Sequence, residues 1–215
     1  MAKRKKKTRR TKKKPVKKTL QGKNLLKTLF AKVKGFIMSP SKAFKAEATT
    51  NLGESFKYAL FGLAFLGVLT GLIYMAIPSA AMPFVGPILI VAMLAMIVIF
   101  GFIGILLGGL WLHLWAYIFG ARKGLTQTLK IVIYARTPTY YLGWIPFFSI
   151  IAGIWEIVLS VIGLQQLQKL STGRAIGAVL IAIIIPLVVI GFIALAFFAS
   201  AATTAGAIPG FNLLF

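Results

Sequence analysis

The chain has 215 residues, 59% of them hydrophobic, and a formal net charge of +22 at pH 7, with a mean hydropathy of +0.88 that no ordinary soluble domain reaches. It contains no Cys and no Asp, and its only acids are Glu47, Glu54 and Glu156, which excludes disulfide frameworks, thiolate chemistry, Cys-ligated metal and paired-carboxylate proteolysis. Nineteen of the 25 Lys and Arg lie at or before Lys57, so the charge belongs to an N-terminal head and the rest is a nearly neutral membrane body.

Residues 1–18 are blocks of Lys and Arg with almost nothing apolar, an arm expected to stay disordered and to attract anionic lipid headgroups at about 1 kcal/mol per basic residue. It lacks the interleaved aromatics that base stacking needs, so nucleic acid is not its expected partner. Residues 19–54 follow as interfacial helices. Between Leu20 and Ile37, an apolar stripe including Leu26, Leu29, Phe30 and Val33 recurs at helical spacing, with Lys23, Lys27, Lys32 and Lys34 off it. Such a helix either lies on the membrane surface or docks on the bundle. Ser39 and Pro40 predict the start of a short helix containing Phe44, and Asn51 with Glu54 predicts a capping box at the first span.

Five apolar spans are predicted over 55–77, 88–119, 128–148, 149–170 and 175–200, each near or above the ~20 residues a hydrocarbon core requires. The first is expected to act as an uncleaved insertion signal. The second would reach ~50 Å at 1.5 Å per residue, so it tilts, breaks near Gly108 and Gly109, or projects beyond the lipid. Arg122, Lys123 and Lys130 surround the second connector and Lys169 and Arg174 the fourth, whereas the first and third carry no charge. The positive-inside rule places the N-terminus in the cytoplasm and, with five spans, the tail 201–215 outside. The predicted fold is all-α, a polytopic membrane protein with a cytoplasmic amphipathic helix and a polybasic arm.

Within the spans, Arg136 and Glu156 are the informative residues, because each costs about 2.5 to 3.5 kcal/mol on insertion scales. If the third and fourth spans turn near residues 146–149, their Cα levels differ by only ~5 Å, within an Arg side chain's reach. The spacing therefore predicts an intramembrane pair, or a polar network that adds Tyr134, Tyr140 or Gln165. It acts as a register lock for the hairpin, as a proton or ion path, or as a ligand contact. His113 sits among Trp111, Trp115 and Tyr117 and is expected in an interfacial aromatic belt; Tyr140, Tyr141 and Trp144 are candidates for the matching outer belt. Gly67 with Gly71 and Gly104 with Gly108 have the spacing of close helix packing, within the chain or in a homodimer. Pro138 and Pro186 are expected to kink their spans, with Thr137 or Thr139 hydroxyls satisfying freed carbonyls. No hydrolase elbow, Walker loop or dinucleotide fingerprint is present, so no enzymatic activity and no cofactor are expected.

Pro40 and Phe44, the run Leu112 to Gly124 (LHLWAYIFGARKG), Tyr134 to Pro138, the aromatic turn and Leu164 to Ala175 (LQQLQKLSTGRA) resemble, in that order, the prokaryotic branch of the YIP family, the Ypt/Rab-interacting membrane proteins. The resemblance implies five spans, a cytoplasmic N-terminus and a non-catalytic role; eukaryotic relatives bind prenylated small GTPases and proteins of their own family. Having no Asp, this chain lacks their Asp-Leu-Tyr-Gly-Pro stretch, so no GTPase-binding residue carries over. The expected function is membrane organisation or partner scaffolding at the cytoplasmic face of an archaeal or bacterial cell membrane. The alternative is a small transporter or channel built on Arg136 and Glu156.

Overall fold

The structure, a computed structural model, describes residues 18–76 and 86–206, with side chains over 27–75 and 87–201. The basic arm, the first connector and the last nine residues lie outside the described part, as do the side chains of Lys23 and Leu26. The described residues form helices α1 (Lys18–Met38), α2 (Pro40–Glu47), α3 (Leu52–Ala76), α4 (Gly86–Ile118), α5 (Leu125–Ala135), α6 (Thr137–Leu142), α7 (Pro146–Leu167) and α8 (Thr172–Gly206).

Local chemistry sets the boundaries. Pro40 and Pro146 open α2 and α7 in the first turn, where a missing N–H costs nothing. Asn51 Oδ1 accepts the Gly53 N–H at 2.9 Å and caps α3, but Glu54 turns to Lys57 at 2.7 Å instead of back to Asn51, so only half of the expected box forms. The 33-residue α4 runs unbroken past Gly108 and Gly109. It stops at Gly120, whose φ of +101° lets the Ala121 N–H reach the Ala116 carbonyl at 2.8 Å.

Among the described residues, four helices are long and apolar enough to cross a membrane: Leu52–Met75, Pro87–Ile118, Pro146–Leu167 and Thr172–Ala201. From Leu187 to Phe198 the large apolar side chains of α8 are 50–70% exposed, an arrangement suited to lipid and prohibitive in water. The continuous third span expected over 128–148 is not there. Its place is taken by α5 and α6, broken at Arg136 (φ −73°, ψ 1°), and the turn to α7 falls at residues 143–145. Pro138 is the cause: it withholds an N–H from the Tyr134 carbonyl, and the Thr137 hydroxyl takes that carbonyl at 2.6 Å. Pro138 thus marks a helix boundary and not a kink, whereas Pro186 sits inside a continuous α8.

Packing fixes the directions. Methyl groups placed on Gly67 and Gly71 would lie 2.9 and 2.7 Å from the Leu94 and Ile90 Cα atoms, so α3 and α4 are antiparallel and nearly backbone to backbone. Tyr58 to Thr137 and Ser55 to Tyr134 run α5 and α6 parallel to α3. Gly163 against Ile131 sets α7 antiparallel to α5, and the Trp111 indole donates to the Ala182 carbonyl at 2.8 Å, tying α4 to α8. Every residue of α5 from Thr128 to Ala135 is buried. This helix is the axis of the bundle, which is why it tolerates Thr, Lys and Tyr where lipid-facing helices do not.

Candidate functional site

Polar side chains gather in three places along α5 and its continuation. At one end, α1 and α2 fold back against the starts of α3 and α5 through Glu47. Its Oε1 takes Lys32 Nζ at 2.7 Å, and its Oε2 accepts the Tyr134 hydroxyl at 2.7 Å and the Thr50 hydroxyl at 2.8 Å. Ser55 meets the same Tyr134 oxygen at 3.1 Å. Phe36 stacks on Tyr134 with centroids 4.9 Å apart and meets Phe44 edge-on at 5.0 Å. Lys130 Nζ caps the end of α2 through the Ala48 carbonyl at 3.0 Å. Burial alone would raise the Glu47 pKa, but hydrogen bonds from Lys32, Tyr134 and Thr50 together with the Lys32 charge outweigh it and hold the carboxyl below its ordinary value.

This arrangement corrects two expectations. Lys32 does not join Lys27 and Lys34 on the outer face but turns inward to Glu47. In the apolar stripe, Phe30 is 75% exposed, Leu29 is partly buried on the core and Val33 is half-buried, while Phe36 is the buried anchor. Glu47, largely desolvated in the packed bundle, attracts Lys32, so this face of α1 lies toward the core. Nothing in the local sequence around Glu47 announced this hub; its partner Tyr134 is 87 residues away.

A second cluster joins the connectors. Gln168 donates to the Gly124 carbonyl and the Thr128 hydroxyl, both at 2.8 Å, and accepts the Lys123 N–H at 2.9 Å. His113 Nδ1 lies 2.8 Å from the same Thr128 oxygen, so this histidine ties α4 to α5. Arg122 lies over the Tyr117 ring, 3.9 Å from its centroid.

The third cluster is deepest. Arg136 Nε donates to Glu156 Oε1 at 3.2 Å, and the Thr139 hydroxyl donates to Oε2 at 2.7 Å. Of the expected network partners, Tyr134 belongs to Glu47 instead, and the Tyr140 hydroxyl has no hydrogen-bond partner among the described residues. Tyr140 is 1% exposed, so it is a core residue and not part of an outer belt; Tyr141 packs on Phe65 and the Trp144 indole donates to the Tyr141 carbonyl at 2.9 Å. Gly104 and Gly108 do not pack against a helix backbone. Methyl groups there would lie 3.5 and 3.7 Å from the Arg136 guanidinium, so the missing side chains make room for it.

Two cavities meet at this pair. One, of about 550 Å³, lies between α3, α4, α6 and α7 and is walled by Leu63, Leu66, Met96, Ile97 and Phe100. The other, of about 310 Å³, lies between α4, α5, α7 and α8 beside Trp111, Leu112 and Ser160. Arg136 and Glu156 line both. On α4 the linings run from Met96 to Gly101 and from Gly108 to Leu112, so the cavities follow one another along the bundle with the ion pair between them.

Lys27, Lys34, Lys42 and Lys45 are exposed on α1 and α2, and Arg122, Lys123, Lys169 and Arg174 on or beside the two connectors at the polar end. A family model described as the Yip1 domain matches residues 34–208. No curated protein and no solved structure matches the chain.

Proposed function

We propose that this chain, which belongs to the Yip1-domain family of non-catalytic, polytopic membrane proteins, organises the membrane or scaffolds a membrane-protein partner at its basic end, as a prokaryotic member of that family. The observation that carries this reading is the Glu47 hub. It fastens α1 and α2 to the bundle core and leaves Lys27, Lys34, Lys42 and Lys45 exposed beside the connector cations. A rigid basic platform of this kind suits anionic headgroups or an acidic partner.

In this reading the basic end lies in the cytoplasm, consistent with the positive-inside rule. Residues 125–142 complete a fifth crossing: at 1.5 Å per residue they extend ~27 Å, close to the hydrocarbon thickness. They run parallel to α3 and antiparallel to α4 and α7, as an alternating bundle requires.

The test is crosslinking in the native membrane followed by purification, comparing wild type with a variant in which the four exposed lysines of α1 and α2 are Gln. Because Lys32 pairs with Glu47 and Phe36 is buried in the core, this variant is a cleaner probe than deletion of the head. A protein partner or anionic lipid recovered with wild type and lost with the variant supports the platform. Equal recovery sinks it.

The paired cavities favour a second reading, a small transporter with Arg136 and Glu156 as its gate. Loss of solute or ion flux in proteoliposomes on Glu156→Gln, with folding retained, would support that reading.

A further inference from the structure

The geometry points to a neutral lipid, bound through an acceptor oxygen at Arg136, in the larger of the two intramembrane cavities. Both Glu156 oxygens are taken, one by Arg136 Nε and one by the Thr139 hydroxyl. A guanidinium carries five N–H donors. Arg136 uses Nε, makes one long contact of 3.5 Å from Nη2 to the Gly104 carbonyl, and finds no acceptor for Nη1 among the described residues. Arg136, whose side chain is 26% exposed, lines this cavity, so its spare donors lack an acceptor there.

Charge then selects the class. The Arg136 and Glu156 charges cancel, and an anion added between them would leave a net charge deep in the bilayer at a cost of several kcal/mol. A carbonyl or hydroxyl oxygen satisfies the donors without that cost. The remaining walls are apolar, which calls for a hydrocarbon body. Met96 and Phe100 are 52% and 65% exposed, so the mouth lies on the lipid-facing flank and the ligand enters sideways from the bilayer. A volume of about 550 Å³ falls within the usual range of ligand pockets. A diacylglycerol, with ester carbonyls, a hydroxyl and no charge, meets each requirement. This site is independent of the basic platform, since none of its residues belongs to α1 or α2.

The full chain in proteoliposomes would be photolabelled with a diazirine-bearing diacylglycerol and, separately, with phosphatidic acid carrying the same chains. Peptide mapping then locates the label. The expected result is diacylglycerol label concentrated at Leu63 to Leu66 and Met96 to Gly101, several-fold above the lipid-exposed stretch Leu187 to Phe198, with phosphatidic acid showing no such focus. Label spread evenly over both regions overturns the site, as does equal focusing of phosphatidic acid.

Discussion

Glu47 and Glu156 are alike in composition and opposite in consequence. Each pairs with one cation and accepts hydroxyl hydrogen bonds. Around Glu47 the packing is closed: its side chain is 9% exposed, three donors fill its oxygens, and the Tyr134 ring beside it stacks on Phe36, with Phe44 edge-on to Phe36. Around Glu156 the packing is open, with 27% side-chain exposure, cavities on two sides and a guanidinium with donors to spare. A satisfied pair in a tight shell fastens elements together. The same pair in a roomy shell retains capacity to bind.

The largest expected effect separates the two directly. Glu47→Ala removes the ion-pair partner of Lys32 and the acceptor shared by the Tyr134 and Thr50 hydroxyls and should cost about 3–5 kcal/mol, read as a lowered unfolding midpoint in mild detergent and as early proteolysis of α1. Glu156→Gln keeps the side-chain volume and the Thr139 hydrogen bond, so its cost should be about 1–3 kcal/mol. Equal losses at the two sites would remove the distinction.

Two glycines sharpen it. Gly163 lies under the Glu47 hub, where a methyl would come 2.6 Å from Ile131 and 3.1 Å from Phe44. Gly163→Ala should therefore cost about 1–2 kcal/mol in overpacking. Gly104→Ala, at 3.5 Å from the Arg136 guanidinium, should stay within about 0.5 kcal/mol, where the helix preference of Ala offsets any crowding. The same unfolding assay ranks them.

The smallest effect is in pH. Because the folded Glu47 carboxyl titrates below its ordinary value of 4.5, its contribution is fully present above that value and is lost as pH falls through the folded pKa. Stability should thus decline in acid, and Glu47→Gln should flatten that part of the profile. An unchanged acid slope would show that Glu47 is not the group that titrates.

Much of this protein is legible in the chain, for reasons particular elements make plain. Apolar runs of span length fixed α3, α4, α7 and α8, because a backbone in lipid has few options besides the helix. The Arg136 and Glu156 juxtaposition follows from helical rise across a short hairpin. The break at Arg136 was visible only as Pro138, since a proline reads equally as a kink within a helix or as the first turn of a new one. Gly104 and Gly108 have the spacing of a packing motif, and only the guanidinium opposite them shows that they serve a cavity.

By itself, then, the sequence determined the solvent, the helical class, the uneven distribution of charge and one ion pair, all of which depend on hydropathy and on rise along neighbouring helices. Tertiary structure decided the rest. Glu47 acquires Tyr134 from 87 residues away, Lys32 turns inward to meet it, and Tyr140 is left with a buried hydroxyl that has no partner among the described residues. These depend on which helix faces close around α5, and a polar contact between distant segments leaves no periodicity in either of them.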